Sequence, residues 1–221
     1  EEVSAFVRRH RGESVEPVTL ALRARFNPNL TESWFGALNE LINLITMLSI
    51  ILTGAALLRE REHGTVEHLL VMPVTPLQIM LGKIWAMGLV VLAAAAFSLA
   101  FVVRGWLDIP LQGSLALFIG GAALHLFATT SMGIFFGTVA RSMPQLGLLI
   151  ILVLLPLQML SGGATPRESM PEAVRTLMLL APTTHFVSLA QAALYRGAGM
   201  SIVWPTLLAL TAIGATFFVA A

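Results

Sequence analysis

The sequence predicts an all-α polytopic membrane protein. Of its 221 residues, 57% are hydrophobic and 11% are charged, whereas about a quarter of the residues in a soluble domain are charged. Its apolar segments approach the roughly 20 residues that a helix needs to cross a bilayer. Five spans are predicted, at residues 34–58, 84–103, 111–140, 145–160 and 201–221.

The tryptophans support these limits. All four lie close to the end of a predicted span, at Trp34, Trp85, Trp106 and Trp204. An indole ring is amphipathic and prefers the boundary between hydrocarbon and water. Tryptophans scattered without regard to the spans would not show this distribution.

Residues 1–33 differ from the rest because they are polar and hold 5 of the 13 basic residues. Within them, residues 17–26 alternate between apolar and polar side chains, which is typical of a half-buried β-strand. We interpret this segment as the C-terminal part of a domain outside the membrane. We also expect a further span before Glu1, because the strand and the arginine-rich segment look like the tail of an outer domain.

A charged segment, residues 59–83, follows the first span. Within it, Thr65 can cap a short helix, Glu67 suits the positive end of that helix, and Pro73 stops it. So short a helix is marginal alone, and its apolar stripe predicts that it docks on another protein. The stripe consists of Val66, Leu69, Leu70 and Pro73, and docking is predicted through the first three. A solvated loop with accidental periodicity is the alternative.

Polar side chains follow one face of the first span. They are Asn39, Asn43, Thr46 and Thr53, with Glu40 beside them near the N-terminal end. Polar groups in hydrocarbon are unfavourable unless they are hydrogen-bonded or wetted. We therefore predict that the stripe lines a water-filled cavity between two subunits, as part of a translocation path. A hydrogen-bonded helix bundle is the alternative.

The third span carries an ionisable residue and a glycine pair. His125 lies near its middle and is a candidate for the translocation path, although a histidine bonded to a neighbouring helix is the plainer interpretation. Gly133 and Gly137 form a G-x-x-x-G pattern, which allows two helices to approach closely.

Capping boxes predict where two further helices begin. Thr75 and Gln78 would cap a helix that enters the second span, and Ser169 and Glu172 would cap one within residues 161–199. The latter region is too polar to span and too apolar for an open loop. We predict two short re-entrant helices there, with a helical hairpin on the membrane surface as the alternative.

Composition excludes several classes of function. The formal net charge of +1 leaves no basic excess for nucleic acid, and the absence of cysteine rules out disulfides and thiolate chemistry. Gly82 and Lys83 do not belong to a phosphate loop, because that pattern needs glycine at Leu77 and serine or threonine at Ile84. We expect this chain to bind no cofactor and no metal.

Two regions together resemble the bacterial ABC type-2 exporter permeases, in particular drug-efflux-like members with a large periplasmic domain. The first match consists of Glu60, Glu62, Gly64, Thr65, Glu67, Leu70 and Pro73, which are similar to the family's coupling segment. The second covers residues 161–197, which are similar to the family's outer segment. The two matches bracket the membrane region in the family's order.

The resemblance implies a permease with six spans, in which residues 1–33 end an extracytoplasmic α/β domain and residues 34–221 form the transmembrane domain. It implies that residues 59–83 face the cytoplasm and couple to an ATPase through Glu60, Glu62, Gly64, Thr65, Val66, Glu67, Leu69, Leu70 and Pro73. It also implies re-entrant helices within residues 161–199 and an outer gate formed by Gly162, Gly163, Pro166, Met170, Pro171 and Pro182.

The implied partners are a cytoplasmic ABC ATPase, which would bind ATP and magnesium, a second permease copy or homologue, and membrane lipid. The implied location is the bacterial inner membrane, which the chain would cross several times. Drugs, lipids and polysaccharides are all exported by relatives of this kind. Two other functions stay open at this point: a membrane-embedded hydrolase that uses His125, and a scaffold that docks a cytoplasmic partner without transport.

Overall fold

The computed structural model describes residues 32–64, 75–107, 109 and 113–221. Every regular element in these ranges is helical. The α-helices are α1 Glu32–Glu62, α2 Pro76–Phe97, α3 Leu115–Val139, α4 Met143–Leu160, α5 Glu172–Leu177, α6 Pro182–Ala190 and α7 Met200–Ala220. Helix α2 continues as a π-helix, Ser98–Trp106, and α6 as another, Gln191–Tyr195. Short 3₁₀ turns, Arg167–Ser169 and Met178–Leu180, flank α5.

In the ranges that the structure describes, five helices are long and apolar enough to cross a membrane, which confirms the all-α, five-span prediction. They are Gly36–Glu62, Leu77–Trp106, Leu115–Val139, Met143–Leu160 and Met200–Ala220. Several extend beyond their predicted limits, because charged and polar side chains such as those of Arg59 to Glu62 continue a helix readily beyond the hydrocarbon. The predicted strand and the predicted outer domain lie outside the described residues.

One predicted capping box is confirmed and the other is wrong. The Gln78 N–H donates to Thr75 Oγ1 (3.3 Å), and the Thr75 N–H donates to Gln78 Oε1 (2.8 Å). Ser169 instead donates its hydroxyl to the Pro166 carbonyl (2.7 Å), and helix α5 begins only after Pro171. Proline at that position places Glu172 in the first helical position, which is too early for a box with Ser169.

Helices α1 and α3 are in close contact along the middle of the molecule. A Cβ added at Gly133 would lie 2.7 Å from the Ile50 carbonyl oxygen and would also overlap the Thr53 hydroxyl. A Cβ added at Gly137 would lie 3.0 Å from the Gly54 carbonyl oxygen. The predicted G-x-x-x-G contact is therefore confirmed, and its partner is α1.

Helix α6 packs into the bundle although it is too short to cross a membrane. The segments Glu172–Leu180 and Pro182–Tyr195 meet at 92°, as in a re-entrant loop or a broken span. Phe186 is fully buried, and the side chain of Leu189 occupies the space that Gly121 of α3 leaves open. Helix α6 thus packs against α7 and against the two helices, α3 and α1, that form the centre of the bundle.

Gly133→Ala should destabilise the protein, because the added methyl group has no room against Ile50 and Thr53. Overpacking of this kind costs about 1–3 kcal/mol. Gly120→Ala is the matched control on the same helix, since a Cβ there meets nothing within 4 Å. It should leave stability unchanged or raise it by up to about 1 kcal/mol through helix propensity. Thermal unfolding in detergent measures both; equal melting temperatures would contradict the packing.

Candidate functional site

The end of helix α1 is tied to three other helices, and we call this group of contacts the α1 clamp. Its first contact joins α1 to α2: the Lys83 ammonium donates to both carboxylate oxygens of Glu60. Both side chains are partly shielded from solvent, which limits the screening of the ion pair. Lys83 therefore forms its ion pair with a residue of the same membrane domain.

The second contact of the clamp joins α1 to the end of α3. The Arg61 guanidinium donates to the carbonyl oxygens of Gly137 (2.9 Å), Thr138 (3.0 Å) and Ala140 (3.2 Å). The last carbonyls of a helix have no partner inside it and carry the negative end of the helix dipole. Arg61 therefore satisfies acceptors that the helix cannot satisfy and neutralises their charge.

The third contact joins α1 to the start of α4. Glu62 accepts the Met143 N–H (3.2 Å), one of the free donors at the positive end of that helix. Two residues later, Gly64 adopts φ +68°, a left-handed conformation that glycine adopts without strain. This glycine ends the helix and turns the chain away immediately after the clamp.

The clamp thus contains two of the predicted coupling residues, Glu60 and Glu62, and a third, Gly64, follows it directly. The other six lie outside the described residues: Thr65, Val66, Glu67, Leu69, Leu70 and Pro73. Sequence reasoning missed Lys83 and Arg61, which it treated only as loop charges. No sequence signal identifies their partners, because the contacts join residues 23 or more positions apart.

A second group of polar contacts, which we call the polar seam, joins the middles of α1 and α3. It consists of Thr46, Ser49, Thr53, His125 and Thr129, all of which are fully buried. Thr46 Oγ1 lies 2.9 Å from His125 Nε2, and the Ser49 hydroxyl donates to Thr129 Oγ1 at 2.7 Å. The imidazole also stacks on Phe186 of α6, with ring centroids 4.4 Å apart.

Thr46 Oγ1 contacts both its own helix and His125. It lies 2.8 Å from the Ile42 carbonyl oxygen and 2.9 Å from His125 Nε2. When the hydroxyl donates to Ile42, it accepts from the Nε2–H tautomer of His125. The other ring nitrogen, Nδ1, is buried without a hydrogen-bond partner among the described residues.

The seam changes the interpretation of the predicted path residues. Thr46, Thr53 and His125 are packed between helices of one chain and do not face a water-filled cavity in this structure. The bundle alternative describes their environment, and their place on a translocation path stays a prediction. Asn39 and Asn43 are half-buried, each with a buried amide oxygen that has no partner in the described part of the chain, and Glu40 is exposed.

Ser49 is a seam residue that sequence reasoning missed, although a signal for it exists. Thr46, Ser49 and Thr53 stand at i, i+3 and i+7, which is the spacing of one helix face. The exposed face of α1 is apolar instead, and carries Leu44, Leu48, Ile51 and Leu52. Leu48 and Leu52 thus lie on the outside of the single chain.

The predicted outer-gate residues lie in three places. Gly163 touches the side-chain amide of Asn39, and Gly162, at φ +96°, lies against the stem of Arg167. Pro166 precedes the 3₁₀ turn, and Met170 is buried. The two remaining prolines stand at helix starts: Pro171 immediately precedes α5, and Pro182 is the first residue of α6. Gly163 thus brings the predicted outer gate into contact with a predicted path residue, Asn39.

Comparison with known proteins gives a match over nearly the whole chain. The sequence profile described as ABC-2 family transporter protein matches residues 10–221. "Inner membrane transport permease YhhJ" of Escherichia coli (strain K12) is 66% identical over 217 residues, which are 98% of this chain and 58% of that protein.

Two more distant relatives come from the same organism. "Probable multidrug ABC transporter permease YbhR" is 32% identical over 199 residues, 89% of this chain and 53% of that protein. "Probable multidrug ABC transporter permease YbhS" is 28% identical over 191 residues, 84% of this chain and 50% of that protein. The chain thus spans little more than half the length of these relatives.

Thr46→Val should destabilise the bundle, because it removes the hydrogen-bond partner of His125 Nε2 with little change in volume. A hydrogen bond between membrane helices contributes about 0.6–1.7 kcal/mol. Thr211→Val is the matched control, since that hydroxyl is exposed and donates to Leu207 O in its own helix. Thermal unfolding should separate the two variants; identical stability would show that the seam contributes nothing.

Proposed function

Because the chain belongs to the ABC-2 family of transporter proteins, we propose that it is the permease subunit of an ATP-driven exporter. It is a multi-pass protein of the bacterial inner membrane. The observation that carries the proposal beyond family membership is the α1 clamp. It joins α1 to α2, α3 and α4 immediately before the segment predicted to dock an ATPase.

The clamp supports a route for coupling. A partner ATPase would bind ATP and magnesium and, on hydrolysis, displace the segment around residues 65–73. That segment lies in the chain between α1 and α2, so both helices would be displaced with it. Arg61 and Glu62 would carry the same movement to α3 and α4, because they hold the facing ends of those two helices.

A second subunit would complete the path. Helix α4 leaves a row of large apolar side chains on the outside of the single chain: Leu148, Ile151, Leu152, Leu155 and Met159. The exposed apolar face of α1 described above adds to this surface. We propose that a second permease copy or homologue covers part of these two faces and that lipid covers the rest.

The substrate class follows only from relatives. YbhR and YbhS carry the name multidrug permease, so we propose a drug-like amphiphile as the cargo. Such a compound would enter between the subunits and leave past Asn39 and Gly163, the contact that closes the opposite end of the bundle from the clamp.

The described geometry favours neither of the other two functions. A hydrolase that uses His125 would need access for substrate and an acidic group to orient the imidazole. His125 is fully buried, and its free ring nitrogen has no carboxylate partner in the described ranges. A scaffold that binds the ATPase without transport is separated from a permease by the experiments that follow.

Replacing Leu69 and Leu70 by aspartate together should abolish co-purification of the partner ATPase with the full-length protein. Burial of a leucine contributes about 1.5–3 kcal/mol, so the loss of two should weaken binding by at least about a hundredfold. The matched control is the same double change at Leu179 and Leu180, which are exposed in the 3₁₀ turn after α5. Unchanged recovery of the ATPase with the first variant would refute docking through this segment.

Reversal of the ion pair tests transmission through the clamp separately from docking. Glu60→Lys and Lys83→Glu should each lower ATP-dependent export about fivefold, corresponding to about 1 kcal/mol, while ATPase binding persists. The double variant restores opposite charges and should recover export. Glu172→Lys, at an exposed carboxylate of α5, is the charge control. Normal export by the two single variants would show that the ion pair is not needed for coupling. ATPase binding without export in the unmodified protein would favour the scaffold function.

A further inference from the structure

A small cavity lies between α1, the loop after α4, and α6. Its volume is about 130 Å³, and its walls are Leu38, Asn39, Ile42, Gly163, Val187, Gln191 and Tyr195. Asn39 and Glu60 are 21 positions apart on the same helix, which at about 1.5 Å per residue separates the cavity from the clamp by roughly 30 Å. The cavity and the clamp are therefore at opposite ends of the membrane domain.

Asn39 supplies an unused acceptor at this cavity. Its Oδ1 atom is buried and has no hydrogen-bond partner among the described residues. Gly163 makes this position possible, because any Cβ there would overlap the Asn39 amide. A buried acceptor without a partner is unfavourable by about 1–3 kcal/mol, and a bound molecule that donates a proton to it would recover that loss.

The remaining polar walls are uncharged. Gln191 and Tyr195 stand four residues apart on the π-helical turn that ends α6, so both reach the cavity from one face. Short π-turns of this kind occur frequently at functional sites. The nearest charges in the sequence, Glu40 and Arg196, are exposed instead of lining the cavity. These walls favour an uncharged group and provide no counter-ion for an ionic one.

The volume of the cavity limits the size of the uncharged group that it can bind, and the apolar walls indicate what adjoins that group. Leu38, Ile42 and Val187 contribute hydrocarbon to the cavity wall beside the amides. A drug-sized ligand needs about 300 Å³ or more, so this cavity holds one part of such a molecule, of the size of a sugar ring or a few waters. Its walls match the junction between a polar head and an apolar chain.

We propose that this cavity binds the uncharged, proton-donating head of an amphiphilic substrate, with Asn39 Oδ1 accepting from its O–H or N–H group. The inference rests on the proposed export function, because it assigns a class of head group to the cargo. It makes the cavity a selectivity site near the exit, where a neutral hydroxylated head is retained and a charged head is not.

The test measures protection of one cysteine in the full-length protein with its ATPase in nanodiscs. The chain has no cysteine of its own, so Val187→Cys places a single thiol in the cavity wall once any cysteine elsewhere in the full-length protein is replaced. A methanethiosulfonate reagent should label it faster than Leu189→Cys, which faces Gly121 outside the cavity. Equal labelling of the two would mean that solutes do not reach the cavity and would overturn the proposal.

Three amphiphiles with the same six-carbon chain then compare head groups. Hexyl-β-D-glucoside should slow labelling of Val187→Cys about tenfold, whereas hexyl sulfate and hexyltrimethylammonium should slow it less than about twofold. Asn39→Leu should raise the glucoside concentration needed for half-protection about tenfold. Gln191→Leu should act in the same direction and provides a second variant if the first does not fold. Ser188→Leu, at an exposed position of α6, should change nothing.

The outcomes separate the two proposals. Equal protection by the three head groups, or protection that survives both leucine variants, would overturn the assignment of the head group while leaving export untouched. Selective protection by the glucoside without ATP-dependent export of any substrate would support the cavity and count against the proposed transport function. Selective protection that both variants weaken, together with export, supports both.

Discussion

The close contact between α1 and α3 is the interaction on which the rest of the structure depends. Inside a membrane, lipid is as apolar as leucine, so helices associate through van der Waals packing and hydrogen bonds and not through the hydrophobic effect. Gly133 and Gly137 let α1 approach until backbone meets backbone, and the polar seam places its hydrogen bonds in the same contact. Helix α6 then closes the contact, with Phe186 stacked on His125.

This contact holds the middle of α1, and each end of the helix carries a different group of polar residues. Helix α1 has 31 residues, which at about 1.5 Å each extend roughly 46 Å, longer than the hydrocarbon core of about 30 Å. Its last turn carries the clamp, and its first turns carry Asn39 at the small cavity. Because the middle is held by the seam, a force applied at one end reaches the other through a packed helix. Helix α1 accordingly contributes residues to both the charged clamp and the uncharged cavity.

The sequence predicts where the helices lie along the chain, but it does not predict which residues they contact. Apolar runs, tryptophans and the Thr75–Gln78 box depend on residues close in the chain, so five spans and one helix start could be predicted. The Ser169 box failed because a local pattern did not take account of Pro171. The spacing of residues in the sequence shows which side chains share a face of a helix. It does not show which side chains of other helices cover that face. The stripe of α1 was therefore identified while its partners in the seam, and the contacts of the clamp, were not.

The seam and the glycines also restrict how α1 can move. Hydrogen bonds between membrane helices contribute little each, typically under about 1 kcal/mol, so the seam alone would permit α1 to slip by one turn along α3. The glycine contact opposes this, since a one-turn slip would bring a leucine, Leu57 or Leu58, toward Gly133 in place of Gly54, where even a methyl group has no room. Packed contacts of this kind switch between discrete arrangements and do not deform continuously. A displacement at the end of α1 would therefore move α1 and α3 together as one packed pair.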